Sequence, residues 1–115
     1  MKDFVSDCIF CKIAAGQIPC KKVYEDDDVI AFHDLHPVAP VHFMIIPKEH
    51  IASLDEAHAR HEMLLGHILL LAPILAKEQG LVNGFRIVIN NGPGGGQEVY
   101  HLHAHVFGGD APHRL

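Results

Sequence analysis

The stretch HLHAHVF, residues 101–107, limits what this chain can be more than any other part of it. On an extended strand, residues two apart face the same way and stand roughly 6.5–7 Å from each other. His101, His103 and His105 therefore line one face, while Leu102, Ala104 and Val106 turn toward a core. A plain solvent face would carry Lys, Thr or Glu more readily than three imidazoles in register. Imidazole changes charge near neutral pH and also ligates metals, so the stripe has two serious uses: metal ligation, or acid, base and nucleophile chemistry.

A strand needs partners, and the rest of the chain supplies them. Its 115 residues suffice for one core and not two, so residues 1–115 are expected as a single domain without a linker. Residues 21–26 (KKVYED) and 28–34 (DVIAFHD) read as two strands joined by the acidic, solvated turn of Asp26, Asp27 and Asp28. Alternation in the second puts Ile30, Phe32 and Asp34 on one face, and a carboxylate beside an aromatic at a strand end invites a ligand. After the interrupting PVAP, residues 41–47 (VHFMIIP) give a third strand with His42, Met44 and Ile46 on a common face. Residues 85–90 (FRIVIN) and 100–107 (YHLHAHVF) are the last two, joined by the glycine-rich NGPGGGQEV, which on turn preferences alone is a hairpin loop.

Two helices complete the outline. CIFCKIAAG, residues 8–16, spaces Ile9, Phe10 and Ile13 on one side before Gly16 closes it. Ser53 and Glu56 fit a capping box, predicting a long helix from there to about Gln79, with Gly80 as its C-terminal cap and Pro73 as a kink or break. Leu64, Ile68, Leu71 and Leu75 form its apolar stripe, and Leu65, Leu69 and Ala72 widen it beyond one sheet face, enough for a homodimer contact as well. His58, His61 and His67 are expected on this helix, solvated or partly buried, and His33 on the strand face opposite Asp34.

Composition narrows the partners. A net charge of −5 and a pI near 6.1 argue against a duplex-binding surface, though not against a nucleotide monomer. The opening MKDFVSDC lacks an apolar signal core, and residues 63–76, the longest stretch without Asp, Glu, Lys or Arg, fall short of the ~18–20 apolar residues of a membrane span. No membrane partner and a cytoplasmic address are expected. Cys8-x-x-Cys11 then suits metal or redox chemistry rather than a disulfide scaffold, and Cys20 reads as a free thiol.

HLHAHVF is a complete H-x-H-x-H followed by two apolar residues, and it resembles the signature of the histidine triad (HIT) family. CIFCKI, AFHDLHPVAPVHFMIIPKEH and GFRIVINNGPGGGQEVYHLHAHVFGG extend the resemblance to the Hint branch over nearly the whole chain. The resemblance implies an α+β fold with an antiparallel sheet of about five strands, a short N-terminal and a long central helix, the sheet continuing across a homodimer. It implies hydrolysis of purine nucleoside 5'-phosphoramidates to the nucleoside monophosphate and an amine, without a catalytic cofactor. His103 matches the family nucleophile, which passes through a nucleotidyl-histidine, with the carbonyl of His101 fixing its tautomer. His105 and His42 match positions that contact the phosphate. Ile9, Phe10, Ile13 and Phe32 resemble the base pocket, Asp34 the ribose carboxylate with Leu35 beside it, and Asn90 and the Gly96-Gln97 backbone the phosphate-flanking loop.

Two further matches concern metal and leaving group. Cys8, Cys11, His50 and His101 correspond to a structural metal set in related HIT proteins, and Cys2His2 suits tetrahedral zinc. Glu98 stands where some Hint-type proteins have serine, and a carboxylate beside a phosphate is repelled unless protonated or turned away. The tail DAPHRL departs from the longer, often aromatic C-termini of the family. Two other readings stay open: a zinc site formed by the stripe itself, activating water, and a nucleotide-binding or partner-regulating module with vestigial catalysis.

Overall fold

In the computed structural model, residues 4–110 are described; all of the tail DAPHRL except Asp110 lies outside them. The strands β1 (Lys22–Glu25), β2 (Val29–His33), β3 (Val41–Pro47), β4 (Arg86–Val88) and β5 (Ala104–Gly108) form one antiparallel sheet in the order β1-β2-β3-β5-β4. Helix α1 (Ile9–Ala14) covers one face and α2 (Glu62–Glu78) the other. The expected α+β architecture of five strands, a short first helix and a long central one is the observed one.

Period-two alternation sorts the core into two clusters. Val29 and Ala31 of β2, with Phe43 and Ile45 of β3, pack with Ile68, Leu71, Ala72, Leu75 and Ala76 of α2. Their neighbours Ile30, Phe32, Met44 and Ile46 pack instead with Phe10 and Ile13 of α1. Central strands covered on both faces read as nearly continuous apolar runs, which is why VIAF and FMII lack polar alternation.

The stripe keeps its expected facing, but its strand is shorter than expected. The ladder begins at Ala104 rather than Tyr100, because the chain just before it bonds elsewhere: the Leu102 N–H donates to the Ile51 carbonyl at 2.7 Å. Leu102, Ala104 and Val106 still point into the α2-side core and the histidines to the other face. β4 likewise retains only the middle of residues 85–90.

Helix α2 departs from expectation at its start. Ser53 precedes a short 3-10 turn, Leu54–Glu56, and its side chain makes no capping bond. A second 3-10 turn, Ala59–His61, follows, and α2 begins only at Glu62. The reciprocal cap belongs to His58 and His61: Nδ1 of His61 accepts the His58 N–H at 2.9 Å, and its Nε2–H donates to Glu49 at 3.0 Å. His61 is thus buried in the approach to the helix rather than solvated on it. The chain turns twice before the helix because Glu49, not a local carboxylate, satisfies that imidazole.

Pro73 does not break α2, whose buried residues Ala72, Leu75 and Ala76 bracket it. The helix ends at Gln79, and Gly80 takes φ +94°, a conformation that suits a residue without a Cβ. The 20-residue helical stretch Ala59–Glu78 reaches the length and composition of a membrane span, with a third of its most apolar 18-residue window buried within the protein. On its outer side Met63, Leu69, Leu70 and Ile74 are exposed.

Candidate functional site

A cavity of about 580 Å³ opens between α1, the β2–β3 connection and the glycine-rich loop. That volume is within the ~300–1,000 Å³ usual for small-ligand sites. It gathers Ile9, Phe10, Ile13 and Phe32, then Asp34 and Leu35 from the β2–β3 side, and His42, His103 and His105 with Asn90, Gly96 and Glu98. The apolar group adjoins the histidines directly, since Phe10 stands edge-on to both Phe32 (5.6 Å between ring centres) and His103 (5.2 Å). Cys20, Lys21, His33 and His36 also reach this cavity. Cys20, expected only as a free thiol, and Lys21 reach it from the segment before β1, His33 from the end of β2 although expected opposite Asp34, and His36 from the β2–β3 connection. A depression of about 630 Å³ lies beside the acidic turn and α2, but Asp26 and Glu49 in its wall are already paired with His67, His61 and Arg60.

Backbone groups fix the proton positions of three rings and, through one of these, of a fourth. A carbonyl only accepts, so the 2.7 Å contact to the His101 carbonyl places the His103 proton on Nδ1 and leaves a lone pair on Nε2. The 2.7 Å contact of His101 Nε2 with the Pro47 carbonyl similarly leaves a lone pair on His101 Nδ1. His42 Nδ1 accepts the Val38 N–H at 3.1 Å, so its proton sits on Nε2 and is donated to His105 Nδ1 at 2.9 Å. His105 therefore carries its proton on Nε2.

Burial disfavours the charged forms of His42 and His105. Burial first, then the neighbouring His103 and His42, pushes His105 down to about 4. Burial lowers His42 as well, offset in part by Asp34. The Asp34 Oδ1 accepts the His36 N–H at 2.8 Å while Oδ2 lies 3.4 Å from His42 Nε2, which turns the carboxylate toward the cavity. Asp34, His42 and His105 bring three potential ligand atoms together. The neutral His42 ring, however, has a proton rather than a lone pair on the nitrogen that would face a cation, which weakens the reading of the stripe as a catalytic zinc site.

Behind the cavity, Cys8, Cys11, His50 and His101 present four ligand atoms within 4.8 Å of one another. Cys8 Sγ lies 3.3 Å from His101 Nδ1, and Cys11 Sγ lies 3.3 Å from His50 Nδ1 and 3.5 Å from His101 Nδ1. Tetrahedral zinc with bonds of about 2.3 Å to sulfur and 2.05 Å to nitrogen separates such atoms by about 3.5 Å, so the set fits a metal of that kind. The Pro47 carbonyl orients the His101 ring from behind, as second partners of ligating histidines do. His101 is fully buried and does not line the cavity; it stands behind His103, to which it lends its carbonyl.

The glycine-rich loop needs a correction. Gly96 lines the cavity but Gln97 does not, and their N–H groups donate within the loop, to Pro93 and Gly92 carbonyls at 3.1 and 3.0 Å. The Gln97 side chain is buried and points away from the cavity, donating to Ala52 and Val99 carbonyls and accepting the Gly92 N–H. Its three bonds make it a staple of the loop rather than a ligand contact.

Known proteins resemble this chain in both sequence and fold. Residues 15–112 match the HIT domain. Protein HitA of Neisseria gonorrhoeae is 51% identical over 104 residues, 90% of this chain and 97% of HitA. The 14 kDa zinc-binding protein of Zea mays is 48% identical over 106 residues, 90% of this chain and 83% of the maize protein. A histidine triad protein from Clostridium difficile matches the fold with a TM-score of 0.92 at 47% identity, over 98% of this chain and all (100%) of that one. A HIT family hydrolase from Legionella pneumophila Philadelphia 1 gives 0.88 at 48% identity, over 90% and 94% of the two chains.

Proposed function

The chain belongs to the HIT domain family, and from that membership we propose that it hydrolyses purine nucleoside 5'-phosphoramidates by covalent catalysis through His103. The observation that carries this reading is the lone pair on His103 Nε2, fixed by the His101 carbonyl, in a cavity lined by an apolar group and a carboxylate. The base would lie among Ile9, Phe10, Ile13 and Phe32, and the ribose hydroxyls would donate to Asp34. His103 Nε2 forms a bond to phosphorus as the P–N bond breaks, and the leaving amine takes up a proton from solvent water. Water then opens the nucleotidyl-histidine and restores the ring. The His105 Nε2–H, oriented by His42, donates to the phosphate oxygens as charge grows on them.

Cys8, Cys11, His50 and His101 would hold a structural zinc, consistent with the name of the maize relative. Zinc there would supply a cross-link between α1 and the stripe, not chemistry. The exposed Met63, Leu70 and Ile74 of α2 fit contact with a second copy, the homodimer expected from sequence. Thiolate ligands also suit a reducing, cytoplasmic setting.

Incubation with adenosine 5'-phosphoramidate, beside a His103→Ala variant of equal fold, tests the proposal by the appearance of AMP. Turnover confined to the unaltered protein supports it. Tight AMP binding with no turnover in either replaces it with the binding module. Turnover that survives chelation, with the fold intact, separates covalent histidine catalysis from a metal-activated water.

A further inference from the structure

Asp55 and Asn91 hold each other twice. The Asn91 Oδ1 accepts the Asp55 backbone N–H at 3.0 Å, and Asn91 Nδ2 donates to Asp55 Oδ2 at 2.9 Å. Neither residue lines the cavity, and Asp55 is exposed. An exposed polar pair is ordinarily worth little. What gives this one consequence is the pair of segments it joins.

Asn91 directly follows Asn90, which lines the cavity, and opens a loop that returns to the cavity at Gly96 and Glu98. Within that loop Gly92, Gly94, Gly95 and Gly96 confer large conformational freedom, which must be removed if the loop is to stand in one place. Packing does not remove it: a Cβ added at Gly92, Gly94 or Gly96 would meet nothing within 4 Å. Hydrogen bonds do: the N–H groups of Gly95, Gly96 and Gln97 close the loop on the Gly92 and Pro93 carbonyls and set its shape, and bonds at its two ends set where that shape stands. At the far end Gln97 binds the Ala52 carbonyl at 2.7 Å; at the near end Asn91 binds Asp55. Both ends are thereby tied to the same strip, residues 52–55, which continues from the His50 that belongs to the Cys/His set.

We infer that Asp55 and Asn91 form a surface clip that sets where Asn90 and the glycine-rich loop stand against a bound phosphate, making both positioning residues for turnover. The inference rests on the phosphoramidase reading for its chemistry. A loop displaced by about 1 Å from the reacting phosphate costs rate more than affinity, because alignment matters most in the transition state.

An exchange of the two side chains tests this. Asn91→Asp sets two carboxylates face to face and removes the Nδ2 donor. Asp55→Asn alone keeps an acceptor for Asn91. The double exchange, Asp55→Asn with Asn91→Asp, keeps the bond from the backbone N–H of residue 55 and rebuilds the side-chain bond with donor and acceptor reversed. Because the pair lies outside the core, all three variants are expected to melt within about 2 °C of the unaltered protein. We expect Asn91→Asp to lower kcat about tenfold with KM changed less than about twofold, and the exchange to recover kcat to within about twofold. A wild-type kcat in Asn91→Asp, a loss seen only in KM, or a loss that the exchange does not recover overturns the clip.

If the unaltered protein turns over no phosphoramidate, the phosphoramidase reading fails separately, and the clip is judged by amide hydrogen exchange across residues 92–98. Exchange about tenfold faster in Asn91→Asp and slowed again in the double exchange upholds it; exchange unchanged in Asn91→Asp overturns it.

Discussion

Replacing Asp26 by alanine is expected to destabilise the protein by about 3 kcal/mol at pH 7, although the residue lies in an acidic turn far from the cavity. Its Oδ1 accepts the N–H groups of Asp28 and Val29 at 2.8 and 2.9 Å, and its Oδ2 accepts the Tyr24 hydroxyl at 2.8 Å and His67 Nε2–H at 2.7 Å. The two backbone bonds resemble a helix cap and contribute about 1 kcal/mol each. The Tyr24 and His67 bonds contribute about 0.5 kcal/mol each, since His67 is more than a third exposed and its pairing is screened. Asp26→Asn keeps an acceptor for the two backbone N–H groups and should cost only about 1 kcal/mol.

The loss should also depend on pH. Burial raises the Asp26 carboxyl, but the bonds from His67, the Asp28 and Val29 N–H groups and Tyr24 outweigh it and hold the group well below the usual carboxylate range. The unfolded chain therefore takes up a proton near pH ~4 while the folded one does not. The stabilisation is complete above that pH and declines as pH falls toward the folded value. The gap between wild type and Asp26→Ala should narrow by about 1 kcal/mol between pH 7 and pH 3. Urea unfolding followed by far-ultraviolet circular dichroism measures it, the chain having no tryptophan to report by fluorescence. A loss below about 1 kcal/mol at pH 7, or a gap unchanged at pH 3, refutes the assignment of these bonds to an ionised carboxylate.

Three other outcomes follow from the same structure. Leu102→Ala, at a side chain only 1% exposed between the stripe and α2, should cost about 3 kcal/mol in urea unfolding. The His105 imidazole, pushed down to about 4 by burial, should keep its neutral-ring NMR signals from pH 8 to about 5, and a titration of that ring near the ordinary ~6.5 would contradict it. His42→Asn removes the donor that fixes the His105 tautomer and should lower kcat at least about tenfold in the AMP-release assay, with little change in melting temperature.

Short-range patterns were legible where one local rule decided the outcome. Alternation on β2, β3 and the stripe assigned the apolar side chains to their faces correctly, because a pleated strand offers two faces and nothing else. Gly80 ended α2 for an equally local reason, its positive φ. The capping box at Ser53 and Glu56 failed because a box describes a helix start only if the chain continues helically, and here His61 meets Glu49 first. Gln97 was misplaced for the reverse reason: its neighbours Gly96 and Glu98 do face the cavity, and only the positions of Ala52 and Val99 turn its amide away.

By itself, then, the sequence determined the strand faces, the order of helices and strands, the alternation of the histidine stripe and, through resemblance, the family. Tertiary structure decided which proton each imidazole carries and which groups answer one another. His67 meets Asp26 across 41 residues and Cys8 meets His101 across 93. Such pairings depend on how a sheet of order β1-β2-β3-β5-β4 closes between two helices. A periodic pattern fixes direction from a side chain's own backbone, whereas a hydrogen bond between distant residues also needs the partner's position, which exists only once the chain has folded.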